Sequence, residues 1–229
     1  MSIEFDELKD LTRGLRRRVF LSDGSDWSRS RSALEELTEK IHACRAGPLG
    51  AARIQAVPGV GSAEAKVMFI GEGPGFQEDH KGEPFVGRSG QLLDKIMESI
   101  GLSRSSVYIA NIVKCHPMKN PADPERHGND RPPTPEEMAA CRGWLESQIR
   151  AIRPRVIVTL GAVPAKALLQ DMTPITQIRG KWRVYDPGGG LPAIKLLPTF
   201  HPAALLRNPD LKRDVWTDMK SLKEELAKP

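Results

Sequence analysis

No apolar run in this sequence is longer than a buried strand. The longest, VIVTL at 156–160 and KVMFI at 66–70 with its leading lysine, fall far short of the ~20 residues a transmembrane helix needs, so no membrane-spanning helix is expected. The opening MSIEFDELKD places acids ahead of any apolar stretch. That is the reverse of the basic-then-apolar order of a secretory signal, and a cytoplasmic location is expected. Cysteine is scarce and odd in number, at Cys44, Cys115 and Cys141. In a reducing compartment this argues against a disulfide framework and leaves buried thiols or metal ligands. Aromatics are only 5% of residues, and one of them, Phe85, falls in a loop. No internal repeat is present, which excludes a solenoid or propeller.

What is there fits a globular chain. Hydrophobic residues are 39% and charged residues 28% of 229, enough for one sizeable core. The net charge of +5 and a pI near 9.2 favour a polyanionic partner through counterion release, although a well-solvated surface has the same signature. Residues 4–19 carry Phe5, Leu8, Leu11, Leu15 and Val19 at helical spacing. The Ser- and Asp-rich stretch 22–32 is expected as a flexible linker, with a second helix over 33–43. The chain therefore divides into 1–32, a helix and linker, and 33–229, the main domain.

From Lys66 onward, strand-sized runs alternate with helical stretches: KVMFI, SVYIAN, RVIVTL and AIKLLPTF. Helices are expected over 90–100, 134–152 and 162–169. The second opens on Thr134-Pro135-Glu136-Glu137, an N-cap followed by proline at the first helical position and an acid three residues on. Alternation of this kind predicts an α/β fold, a three-layer α/β/α sandwich around a four-stranded parallel sheet. The Pro- and Gly-rich 119–133 is expected as a surface loop.

Ligands of such sheets bind at the carboxyl ends of the strands. Those ends carry Gly71-Glu72-Gly73-Pro74-Gly75, Asn111, Gly161 and Thr199-Phe200-His201-Pro202, bringing a carboxylate, a carboxamide and an imidazole to one rim. The glycine run after the first strand is not a dinucleotide fingerprint: its third glycine position is Phe76, and a proline interrupts the turn where donor N–H groups are needed.

At this point a family resemblance emerges. GEGPGFQED (71–79), PFVGRSGQLLD (84–94), NIVKCHP (111–117), the helix start at Cys141, LGAVPAKAL (160–168), RGKW (179–182) and PTFHPAALLRNPDLKRDVW (198–216) follow one another in the order and approximate spacing of family 4, iron–sulfur-type uracil-DNA glycosylases. The likeness extends from about 41 to 222.

The resemblance implies hydrolysis of the N-glycosidic bond of deoxyuridine, in single- or double-stranded DNA, by a monomer. It implies a carboxylate near the sugar at Glu72 and a hydrogen bond from His201 to uracil O2, helped by backbone N–H groups around Gly73. Asn111 would read uracil O4 and N3–H, since its amide offers both a donor and an acceptor. Phe85 would stack on the extruded base, Glu78 would crowd the C5 edge against thymine, and Leu205, Leu206 and Arg207 would wedge into the duplex and bind phosphate, with Lys212 and Arg213 nearby. Plainer readings exist for each: a helix-dipole acid at Glu72, a core ring at Phe85, a turn former at Asn111, a surface acid at Glu78.

Family members bind a [4Fe–4S] cluster through four cysteines. Here Cys44, Cys115 and Cys141 match, whereas Gly47 occupies the fourth position, so a labile cluster is expected and a cluster-free fold stays open. No lysine stands at a strand end to form a Schiff base, and no lyase activity is expected. The rival readings are a non-catalytic module that binds damaged bases, an iron–sulfur redox protein on the same scaffold, and a glycosylase of broader deaminated-base specificity. Gly73, where alanine is more usual, would permit the last by enlarging the pocket.

Overall fold

The computed structural model describes residues 24–229; the helix expected over 4–19 lies outside the described residues. The first described element corrects the linker reading of 22–32 over residues 24–32. Helix α1 runs from Gly24 to Ala43, so the Ser/Arg-rich stretch is helical. Leu34 and Ile41 are buried and α1 packs on the later helix that carries Cys141. Once that apolar stripe fixes the helix, extending it through polar residues costs little, because propagation is far easier than nucleation.

The central strands are β2 (Val67–Gly71), β3 (Tyr108–Asn111), β4 (Val156–Leu160) and β6 (Ile194–Thr199), with the two-residue β1 (Val60–Gly61) and β5 (Arg183–Tyr185) at the edges. The order is β1-β3-β2-β4-β6-β5. The four expected strands are parallel, and the two edge strands, which the sequence reading did not include, are antiparallel. The sheet described is thus six-stranded. Side chains alternate between two buried faces. Met68, Ile70, Ile157 and Leu196 lie in one core with Leu34, Leu145 and Ile149. Val67, Phe69, Val158 and Leu197 lie in the other with Leu93, Met97, Met219 and Leu222. Helices α1 and α4 (Pro135–Ile152) therefore supply one outer layer, α3 (Arg88–Glu98) and α8 (Leu211–Leu226) the other, and the α/β/α sandwich is as expected.

The short helices α2 (Phe76–Lys81), α5 (Ala162–Leu169), α6 (Ile175–Ile178) and α7 (Pro202–Arg207) fill the connections. The start of α4 is as read: Thr134 Oγ1 accepts from Glu137 N, and the Glu137 carboxylate accepts from Thr134 N at 2.8 Å. Register places Gly71 beside Asn111, and Leu160 beside Thr199. The chain leaves β2 toward β3 on one side, while β4 lies on the other, so Glu72 emerges at the switch point where α/β sheets open a crevice.

Candidate active site

A cleft of about 570 Å³ opens at this rim, lined among others by Glu72, Gly73, Phe85, Asn111, His201 and Arg207. Asn111 ends β3, 2% exposed, and its Oδ1 is buried without a hydrogen-bond partner. A buried polar atom left unpaired costs about 1–3 kcal/mol, so this acceptor marks a place where a ligand donor belongs. A methyl at Gly71 would collide with Asn111 Oδ1 and come within 2.6 Å of Phe85 Cζ. Glycine at the end of β2 is what lets amide and ring share the floor of the cleft. Behind them Lys114, fully buried, donates from Nζ to Asn111 O at 2.8 Å and to Gln148 Oε1 at 2.7 Å. Burial pulls its pKa down to about 7. Lys114 braces the backbone of Asn111 and does not line the cleft.

Phe85 is buried but sits at φ 56°, a left-handed backbone that a residue with a Cβ adopts at a cost. The surroundings impose it. Arg104 donates to Pro84 O and Phe85 O and pairs with Asp94, and Glu78 Oε1 accepts from Val86 N at 2.9 Å and Gly87 N at 3.1 Å. With its other oxygen Glu78 accepts from Gly75 N. Its carboxylate lines the cleft but is engaged by three backbone N–H groups, so its visible work is to tie the Phe85 loop to the start of α2.

His201 caps α7: Nδ1 accepts from Ala203 N at 3.1 Å. An acceptor at Nδ1 leaves the proton on Nε2, so the ring is a donor on its other side. Burial, reinforced by Arg207, pulls its pKa down to about 4, and the imidazole is neutral at physiological pH. Its ring centre lies 5.6 Å from that of Phe85. Gly161, at φ 100°, allows the close approach, since a Cβ there would lie 3.1 Å from His201 Cβ. Glu72 is half-buried, and burial raises its pKa. Its carboxylate makes no hydrogen bond or ion pair with the described residues.

Two expectations change. Leu205 is 2% exposed and packs in the core under α7, a placement at odds with the expected wedge. In a short helix that buries Pro202 and Leu205, Ala203 and Ala204 are half-buried and Leu206 and Arg207 are exposed. At Gly73 an added Cβ would meet Val113 Cγ2 at 2.8 Å and Pro117 at 3.4 Å; glycine there relieves the neighbouring wall and gives no sign of an enlarged base pocket. Lys212 and Arg213 are exposed near the start of α8.

Motif spacing gave no hint of several residues that shape the cleft. The loop over 119–133 is one of its walls. Phe76, Pro117, His127, Asp130, Arg131, Pro132 and Pro133 all line it. Buried Asn129 holds the loop by bonds with Asn120 and Asp123, and buried His116 reaches Asp130 at 2.7 Å. The RGKW motif serves the strand end behind His201. Arg179 pairs with Asp218, which accepts from Thr199 Oγ1 at 2.6 Å, and Trp182 bonds Ser221. The signal for all of these is polar residues in long loops, which names no partner.

The three cysteines form a second cluster on the other side of Lys114. Cys115 and Cys141 are buried, Cys44 less so, and burial pushes the Cys115 and Cys141 thiols up. Arg53 donates to Cys115 Sγ at 3.0 Å and to His42 O at 2.7 Å. Metal binding would require these thiols to lose their protons, which the Arg53 guanidinium beside Cys115 favours, but Gly47 offers no donor, and among the described residues no group of three or more His, Cys, Asp or Glu is arranged to hold a metal ion. The three thiols lie near one another without forming a metal site as they stand, and position 47 adds no fourth ligand.

Comparison with known proteins places the chain in a family. Residues 58–220 match the model of the uracil DNA glycosylase superfamily. The chain is 39% identical over 200 residues, 86% of its length and 94% of the relative's, to a type-4 uracil-DNA glycosylase of Archaeoglobus fulgidus. It is 40% identical over 198 residues, 85% of its own length and 95% of the relative's, to the type-4 enzyme of Thermotoga maritima. A type-5 enzyme of Pyrobaculum aerophilum is 30% identical over 65% of this chain and 66% of its own.

Proposed function

We propose that this chain, which belongs to the uracil DNA glycosylase superfamily and within it to the type-4 uracil-DNA glycosylases, hydrolyses the N-glycosidic bond of deoxyuridine in DNA. The products are free uracil and an abasic site. The observation that carries the reading is the buried, unpaired Asn111 Oδ1 at the floor of the cleft. It asks for a ring N–H, which uracil has at N3 and cytosine does not.

The remaining groups fit the charge that develops. As the C1′–N1 bond lengthens, the sugar becomes cationic and the uracil ring anionic, the charge gathering on O2. His201, neutral and donating from Nε2, stabilises that oxygen, a contribution of the oxyanion-hole kind. A neutral imidazole keeps its proton through the reaction and needs no partner carboxylate. Glu72, unpaired and half-buried, faces the sugar, steadies its positive charge and orients the water whose oxygen bonds to C1′. One proton of that water leaves to Glu72 or to solvent, and the departing uracil anion is later protonated at N1. Phe85 stacks on the base, and Leu206 and Arg207 on α7 meet the DNA. Glu78 stands close enough to the cleft to exclude a methyl at C5, and its three backbone bonds make it a rigid obstacle.

In the same reading Cys44, Cys115 and Cys141 would hold an iron–sulfur cluster. When bound, it would pin α1 to the strand end at Lys114 and to α4; none of the catalytic residues is a ligand.

The test is incubation of purified, folded protein with labelled oligonucleotides carrying U·G, U·A or single-stranded uracil. Released uracil and an alkali-labile abasic site are expected. Absence of excision at high enzyme-to-DNA ratio, with binding to damaged DNA retained, would return the chain to a base-binding module.

A further inference from the structure

We propose that the exposed His127 ring is a stacking platform for a nucleobase adjacent to the extruded uracil, supported by the Phe76 ring in the same cleft. The proposal rests on the glycosylase reading and adds a second subsite to it.

The first reason is size. A volume of about 570 Å³ suits a ligand of several rings rather than one pyrimidine. The groups assigned to uracil and sugar occupy the side formed by Glu72, Phe85, Asn111 and His201. Phe76, His127 and the 128–133 segment also line the cleft, and the roles assigned to base and sugar use none of them.

The second reason is the arrangement of rings there. The Phe76 ring centre lies 4.2 Å from that of His80 and 4.1 Å from that of His127, at similar tilts of 36° and 35°. Phe76 is thus in close, tilted contact with both histidine rings. The His80 ring is fixed, because His80 bonds Phe76 O at 2.7 Å and Glu125 at 3.0 Å. His127 is exposed. An exposed ring that lines a cleft and is supported by a neighbouring ring is a surface on which nucleobases stack, without sequence preference, since every base has a π-face.

The third reason is rigidity. His127 sits on a loop closed by the Met118–Asp130 bridge, by Asn129 and by the Arg131–Glu137 pair at 2.6 Å. A stacking surface held this way loses little freedom on binding. Extruding one base also removes a stacking neighbour from the next, so a protein ring that takes its place lowers the cost of extrusion.

The experiment measures kcat and KM on single strands in which the base on the 5′ or the 3′ side of uracil is either present or replaced by an abasic spacer. For the unmodified enzyme one of the two spacers is expected to raise KM about ten-fold, within the range of a single base–aromatic stack, with kcat little changed. His127→Ala should show the same rise with the base present and no further rise with that spacer, while His127→Phe should behave as the unmodified enzyme. Independent, additive effects of variant and spacer on both sides, or a His127→Ala enzyme indistinguishable from the unmodified one, overturn the proposal. If the unmodified enzyme excises no uracil at all, the glycosylase reading fails instead. The platform is then read from 2-aminopurine fluorescence in a uracil-free strand: quenching by the unmodified protein and His127→Phe but not by His127→Ala keeps it, and equal quenching or none by all three overturns it.

Discussion

The strand-end rim and the cysteine cluster stand on either side of Lys114 and are organised differently. At the rim the chain fixes three of the groups, all but Glu72, through contacts of its own. Asn111 is braced by Lys114, the Phe85 loop by Arg104 and Glu78, and the His201 proton by Ala203 N. Around the sulfurs the contacts are fewer and softer: Arg53 at Cys115, and Ala46 N at 3.4 Å from Cys44. The difference teaches where precision is needed. Groups that must meet a transition state are set in advance by covalent and hydrogen-bonded constraint, whereas sulfur donors need only come together.

The comparison breaks most sharply at His201. His201→Ala is expected to lower kcat by roughly 10²–10³, the loss for one oxyanion donor, with little change in DNA affinity. A change confined to affinity in steady-state and binding measurements would make His201 a phosphate or packing residue. Next is Glu72, which must be ionised to act. Because burial raises its pKa above the usual 4.5, activity should fall on acidification at a higher pH than an ordinary carboxylate would give. His201, already neutral down to about 4, adds no limb above that. Glu72→Gln should lose roughly 10²-fold in kcat, the low end for general base catalysis, and remove the acid limb from the profile. The sign for stability is opposite. A carboxyl with a raised folded pKa costs stability once pH exceeds its unfolded value, so Glu72→Gln should melt higher at neutral pH; an unchanged acid limb would assign it to another group.

Phe85→Ala should weaken productive binding by about 1–3 kcal/mol, most in duplex substrates where the base must be unstacked. Equal losses on single and double strands would make the ring a packing residue. The smallest effect on catalysis is expected at the cysteines. Gly47 has φ 70°, and a Cβ there would lie 2.9 Å from Ala140 Cβ, so Gly47→Cys alone should lose about 1 kcal/mol or more of stability in iron-free protein. Paired with Ala140→Gly and expressed anaerobically with iron, it should retain more iron than the parent, which is expected to be brown with about four irons or fewer and to fade in air. Iron content and melting temperature decide this. Colourless parent and no gain in the double variant would leave three buried thiols.

The central strands were readable because parallel strands buried on both faces are nearly continuous apolar runs. The edge strands were not: β1 has two residues and β5 three, too few to show a period. The helix over Gly24–Ala43 was half missed because serine and arginine on an exposed surface look like linker until a packed stripe anchors them. Glu72, Asn111 and His201 were legible as strand-end residues, since the sheet dictates where such residues gather. Leu205 was not, because residue type alone does not tell which face of a six-residue helix turns inward. The contacts of Arg104 with Phe85 and of Glu78 with Val86 cross between segments, and the sequence carries no local trace of them.

Phe85 owes its aim to residues that never meet DNA. A single methyl group at Gly90 would collide with the Phe85 carbonyl, and loss of Arg104 would release the same carbonyl. A change at position 90 or 104 can therefore weaken the grip on the base while every reacting group is retained, so Glu72, Asn111 and His201 alone do not mark a fully working copy.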